Sequence, residues 1–191
     1  MRLSFPINRT ARMELEVKSL LISQKTPYHK IEIWETSHYG KLVLCNEWLQ
    51  SIEYDDFIYD ESLVHPAFNM TNSPFKNILI IGGSQGGILR EVLKYKSVEK
   101  ITMVDIDADF IKISKEYLAC MHKGSFDDIR VRFIFEDGRK YLESCEERYD
   151  AIIVGLTAPE EHCPSVFLYT LEWYSLVSKC LTNEGVLSVL V

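Results

Sequence analysis

The residues whose types and spacing suit chemistry on a ligand are the run Gly82-Gly83-Ser84-Gln85-Gly86-Gly87 and two later acids, Asp105 and Asp137. Glycines let the backbone pass close to a ligand, and the N–H groups opening a following helix favour polar or anionic atoms there. Asp105 follows at the separation at which an acid at a strand end accepts hydrogen bonds from a ribose diol. Asp137, with Gly138 behind it, is placed to accept from an exocyclic adenine amine while a neighbouring N–H reads a ring nitrogen. Together they suit a nucleoside-containing ligand. Each also has a plainer reading: a structural turn, an ordinary strand-end acid, and the N-cap of the next helix.

To converge, these residues must end successive strands of one sheet, and the chain carries that pattern. Residues 77–82 read as a buried strand, 86–95 as a helix and 100–104 as a strand. A helix from 107 to about 120, a strand over 131–135, a short helix to about 145 and a strand over 149–154 follow. A last helix from about 165 to 181 precedes a final apolar run, 185–191. Such alternation implies an α/β fold with a parallel sheet, right-handed crossovers, helices on both faces and ligands at the carboxyl ends of the strands. Upstream, residues 14–54 alternate with period two as a small antiparallel β module of about four strands, interrupted at Pro27. A helix opens at Asp55-Asp56-Phe57 and runs to about 68. The expected division is a small β domain over 1–55 and a nucleoside-binding domain over 56–191. A final strand of apolar residues at a sheet edge calls for a cover, from a partner or from further chain.

Composition narrows the partners. With 47% hydrophobic and 26% charged residues the chain is of ordinary globular type, and a net charge of −7 argues against nucleic acid. Five dispersed cysteines, without Cys-x-x-Cys or a His/Cys spacing for zinc, read as reduced thiols, with no metal expected. The absence of an apolar signal core and of a spanning run makes the expected location cytoplasmic, with no membrane partner.

At this point the sequence resembles the polyamine aminopropyltransferases typified by spermidine synthase. The resemblance is carried by Thr26-Pro27-Tyr28, Gln50-Ser51 with Asp55-Asp56 and Tyr59, His65-Pro66 and Ile80-Ile81-Gly82-Gly83 with Gly86-Gly87. Arg90-Glu91-Val92-Leu93, Val104-Asp105-Ile106-Asp107, Asp137-Gly138 and Ile152-Ile153-Val154 continue it in one register. It implies a class I methyltransferase-like Rossmann domain behind a small β domain, a homo-oligomer (dimer or tetramer), and transfer of an aminopropyl group from decarboxylated S-adenosylmethionine to putrescine. It also implies that Gly82, Gly83, Gln85, Gly86, Asp105, Asp137, Gly138 and His29 surround the donor, and that Gln50, Tyr59, Asp60 and Thr157 line the acceptor region.

Departures from the family pattern fall on the chemistry. Gln85 stands where the pattern has the aspartate that pairs with the donor's ammonium, and Gly155 and Ala158 stand where it has two further aspartates. His29 and Asp60 replace the usual glutamine and the usual histidine or glutamine. An amine must be attracted as a cation and then deprotonated before it attacks carbon, and neither Gly155 nor Ala158 can do this. Glu160 and Glu161, or Asp60, could supply charge instead, but the plainer reading of Glu160-Glu161-His162 is a solvated loop and that of His29 a packing or hydrogen-bonding residue. The expectation is a spermidine synthase-like protein binding S-adenosylmethionine, its decarboxylated form or methylthioadenosine, with weak or altered acceptor use. The alternatives are a non-catalytic paralogue acting as partner or regulator, an alkyl- or methyltransferase on a non-amine acceptor, and a gene fragment.

Overall fold

The computed structural model describes residues 1–8, 10–71, 73–156 and 168–190. Strands β1 (Arg2–Pro6), β2 (Arg12–Lys25), β3 (Lys30–Thr36), β4 (Lys41–Cys45) and β5 (Trp48–Ile52) form an antiparallel meander in sequence order. Its side chains alternate as a pleated strand requires: Leu42 and Leu44 join Phe5 on one face, while Ile31, Ile33 and Val43 project from the other. Asn46 and Glu47, both at positive φ, form the two-residue turn between β4 and β5, whose twist matches that of the flanking strands.

Five strands stand where the residue pattern suggested about four. Arg2 and Pro6 obscure the first, yet it pairs in full register with β2, from Arg2↔Glu16 to Pro6↔Arg12, and sends Phe5 into the core. Pro6 sits at the end of an outer strand, where a missing N–H is tolerated.

Helix α1 (Asp56–Phe68) leads to the second sheet. There β6 (Asn77–Gly82), α2 (Gly87–Leu93), β7 (Lys100–Asp105), α3 (Ala108–Tyr117), α4 (Ala119–His122) and β8 (Val131–Phe135) succeed one another. They are followed by α5 (Gly138–Ser144), β9 (Tyr149–Gly155), α6 (Leu171–Cys180) and β10 (Leu181–Val189). The strands are parallel in the order β10-β9-β6-β7-β8. Ile78 and Ile80 face Leu63, Val64, Leu89 and Val92 of α1 and α2; Leu79 and Ile81 face Tyr141, Leu142, Trp173 and Val177 of α5 and α6. Cover on both faces explains the unbroken apolar run Ile78-Leu79-Ile80-Ile81. The chain steps outward from β6 to β8, then returns to the other side of β6 with β9. The β6–β9 boundary is therefore the topological switch point, where such sheets open a ligand crevice.

Three boundaries differ from the sequence expectation. The helix expected over 107–120 breaks at Leu118 into α3 and α4. The last helix opens at Leu171 behind the side-chain cap of Thr170, which accepts the Trp173 N–H at 3.3 Å, and residues 165–167 lie outside the described ones. The final strand starts at Leu181, with a register shift against β9 before Val186 that hides it in the polar run Thr182-Asn183-Glu184-Gly185. Among the described residues, no helix is long and apolar enough to cross a membrane.

The two sheets meet through side chains. Ile31, Ile33 and Val43 pack against Phe110, Ile113, Leu118 and Met121 of the α3–α4 region. Ile33 is fully buried. Truncating it (Ile33→Ala) is expected to cost about 2–5 kcal/mol in urea denaturation, the range for a large-to-small change in a close-packed core. A loss below about 1 kcal/mol would show that the seam is not core.

Candidate functional site

β6 ends at Gly82 with φ +80°, where an added Cβ would lie 2.6 Å from the Gly155 carbonyl oxygen, so the turn accepts only glycine there. The Gly83 N–H donates to that same oxygen at 3.0 Å, tying the glycine turn to the end of β9 across the switch point. The two polar residues of the turn are both engaged. The Ser84 hydroxyl donates to Asp105 Oδ2 at 2.6 Å, and Gln85 Oε1 accepts from the Ser51 hydroxyl on β5.

Asp105 closes β7 and is almost fully buried. Its Oδ1 accepts the Asp107 N–H at 2.9 Å. Burial raises its pKa above the ordinary carboxylate value, while the bonds from Ser84 and Asp107 act to lower it. Asp107 is buried too, and its Oδ2 accepts the Thr26 hydroxyl at 2.6 Å and faces His29 Nδ1 at 2.8 Å. Its Oδ1 caps α3 through the Phe110 N–H at 3.1 Å. His29 is thus held by Asp107, the residue whose N–H fixes Asp105. Sequence reasoning missed Thr26 and Asp107 as partners; the only local signals were a Thr-Pro turn and an acid at a helix start.

The other expected residues are dispersed around the same end of the sheet. Asp137 is exposed and caps α5, accepting the Lys140 N–H at 3.0 Å, so the plainer of its two readings describes its present contact. Gly138 is buried against Ile81. Gln50 is half-buried on β5. Tyr59, on α1, keeps its phenol protonated: burial, with smaller contributions from Tyr169 and Asp60, pushes its pKa up to about 12. Gly155 ends β9, and a Cβ on it would lie 2.2 Å from Ile88 Cδ1. Thr157, Ala158, Glu160, Glu161 and His162 lie outside the described residues. A surface depression of about 320 Å³ lined by Ser73, Phe75, Asp150 and Glu184 lies at the opposite, amino ends of the strands, away from the turn.

Asp60 sits against the turn. A Cβ on Gly87 would fall 1.8 Å from Asp60 Oδ2, so a larger residue there would displace this carboxylate. The Arg90 guanidinium reaches Asp56 at 3.0 Å, Asp60 at 3.3 Å and Glu91 at 2.7 Å. Burial pushes the Asp60 carboxyl up to about 7; Arg90 opposes the rise, and Asp56, Glu91 and Glu61 add to it. Behind it, Glu61, His65 and Glu91 lie close enough to hold a metal ion, but the Lys94 ammonium already contacts Glu91 Oε2 and lies 3.7 Å from Glu61.

This cluster makes stability depend on pH in a stated direction. A carboxyl whose pKa is higher in the fold than in the unfolded chain binds its proton more tightly in the fold. Stability therefore falls as pH rises from about 4 to about 7, and the full cost remains above that. Asp60→Asn is expected to raise the melting temperature at pH 8, by an amount equivalent to at most about 4 kcal/mol, and to leave it nearly unchanged near pH 4. A variant less stable than the parent at pH 8 would refute the assignment.

A parallel α/β sheet with a glycine turn and a buried acid at adjoining strand ends, behind a small antiparallel sheet, defines a Rossmann-like α/β protein. The comparisons carry this to a family: residues 56–190 match the spermine/spermidine synthase domain and residues 6–53 the spermidine synthase tetramerisation domain, so the chain belongs to the spermine/spermidine synthase family. It is 43% identical over 169 residues to a polyamine aminopropyltransferase of Saccharolobus solfataricus, covering 88% of this chain and 56% of that protein. Another from Sulfurisphaera tokodaii is 40% identical over 163 residues, covering 85% of this chain and 54% of the relative. The crystal structure of a spermidine synthase in complex with the transition state analogue AdoDATO superposes with a TM-score of 0.92 at 28% identity, covering 98% of this chain and 63% of that one. Spermidine synthase from Thermotoga maritima gives 0.88 at the same identity, over 98% and 62%. The chain thus spans little more than half the length of the curated relatives it matches.

Proposed function

We propose that this chain binds decarboxylated S-adenosylmethionine, with methylthioadenosine as the product nucleoside, and transfers an aminopropyl-type group to an acceptor it uses weakly or with altered preference. The observation that carries the reading is the buried Asp105 carboxylate, held by Ser84 and Asp107 at a strand end next to the glycine turn, where a ribose diol would be received. Family membership supports the donor class, and the AdoDATO complex of a related spermidine synthase supports a nucleoside ligand.

In such a transfer the acceptor's lone pair forms a bond to the carbon beside the sulfonium. The carbon–sulfur bond breaks toward sulfur, leaving a neutral thioether, and the acceptor's proton passes to a base. Gly155 cannot serve as that base, and Ile88 occupies the space a side chain there would need. Lacking a positioned base typically costs about 10²- to 10⁴-fold. The weak-acceptor reading rests on that deficit, and a partner or regulator that binds the nucleoside without turnover is the second reading for the same reason. The match of residues 6–53 to a tetramerisation domain supports a homo-oligomer built through the first sheet.

Isothermal titration with methylthioadenosine, decarboxylated S-adenosylmethionine and S-adenosylmethionine tests the proposal. Binding of the first two is expected, weakened about tenfold or more in Asp105→Asn by loss of charge-assisted bonds. With putrescine present, slow release of methylthioadenosine is expected; tight binding with no release supports the regulator, and failure of all three ligands to bind overturns both readings.

A further inference from the structure

Away from the glycine turn, two thiols meet where α5 and α6 come together. Cys145 follows α5 as its C-cap, and Cys180 is the last residue of α6. One carbonyl serves both: Leu142 O accepts the Cys145 N–H at 3.4 Å and the Cys180 thiol at 3.8 Å. Just beyond them the strands pair, with Leu181 opposite Tyr149 at the amino end of β9. Cys180 is buried in the apolar cluster between α5, α6 and the sheet, and Cys145 packs half-buried against the same cluster.

Burial pushes the Cys180 pKa up to about 11, and Cys145 adds to the rise by charge and by hydrogen bonding, effects that require the two sulfurs to be neighbours. A buried thiol among apolar groups is inert toward solutes, whereas a half-exposed one is open to them, so the pair has an inner and an outer member. The other cysteines are placed elsewhere: Cys45 on β4, Cys120 on α4 at the seam between the sheets, and Cys163 outside the described residues.

We infer that Cys145 and Cys180 are a redox-responsive modification site, which reacts with a low-molecular-weight disulfide and closes to a Cys145–Cys180 bond pinning the end of α6 to the end of α5. The outer Cys145 thiolate attacks one sulfur of the small disulfide, forming a mixed disulfide and releasing one thiolate. Cys180 then gives its proton to solvent, and its thiolate attacks the Cys145 sulfur and expels the second thiolate. The protein gives up two electrons and two protons, and the small disulfide is reduced to two thiols. The new bond closes a ring over residues 145–180, which carries β9 and α6, and so restricts the unfolded chain. Neither thiol belongs to the nucleoside site, which lies at the opposite end of β9.

The test is made on the intact chain, reduced and then exposed to oxidised glutathione. Remaining thiols are blocked with a maleimide before denaturation, and the chain is digested for mass spectrometry. A linked Cys145–Cys180 peptide is expected, with a melting temperature about 5–15 °C above that of the reduced protein and reversal by dithiothreitol. Cys180→Ser is expected to stop at one glutathione on Cys145, and Cys145→Ser to take none at Cys180. The inference is overturned if both thiols of the parent stay free, if the parent stops at a glutathione adduct, or if either residue joins Cys163 or a second chain. A linked form that melts no higher than the reduced one overturns it as well.

Discussion

The carboxylate of Asp107 is the point on which the arrangement of this protein depends. A buried charge is costly unless its oxygens are satisfied, and here the partners come from separate parts of the chain. Thr26 and His29 reach it from the loop between β2 and β3, and the Phe110 N–H reaches it from α3. Its own backbone N–H fixes Asp105. The apolar seam between the sheets, where Ile31, Ile33 and Val43 pack on Phe110 and Ile113, supplies buried area but no directional bonds. The hydrogen bonds of Asp107 supply the direction. The seating of the first sheet, the start of α3 and the orientation of the acid at the end of β7 follow from one satisfied charge.

Burial decides how each acid behaves, and two arginine-paired aspartates show it. Asp128 lies at the surface with Arg130 bonded to both its oxygens, and that side-chain hydrogen bonding lowers its pKa to about 2. Asp60 also has an arginine at its side, yet burial outweighs the attraction and takes it in the other direction. The carboxyl end of the second sheet therefore holds acids in environments that resist their ionisation, the situation in which a cationic or hydroxylated ligand gains most by supplying the missing partner.

The central strands of the second sheet were legible because burial on both faces leaves unbroken apolar runs such as Ile78-Leu79-Ile80-Ile81; the edge strand Val131–Phe135, only partly buried, was also read with both bounds as found. β1 was not legible, because an outer strand is defined by its partner more than by its own pattern. Only the start of β10 was masked, by Thr182-Asn183-Glu184, which a register shift carries past β9. In the site, Asp105 could be placed by its separation from the glycines. The contact of Ser51 with Gln85 and that of Thr26 with Asp107 could not, since they join residues 34 and 81 positions apart that only the packing of the two sheets brings together. Asp137 was read as either a ligand group or a cap because both uses demand the same residue at the same place.

The packing of Ile88 beside Gly155 bears on the order in which this sequence can change. The Ile88 methyl terminus fills the volume that any side chain at 155 would need, with the Gly83 Cα 3.5 Å away on another side. Ile88 is itself 2% exposed and set among Val64, Leu89 and Met103, so it cannot readily swing aside. A side chain at 155 therefore requires the Ile88 terminal methyl to move, and a smaller residue at 88 leaves a cavity until 155 is filled. The two positions share one volume, so what fits at one depends on what stands at the other.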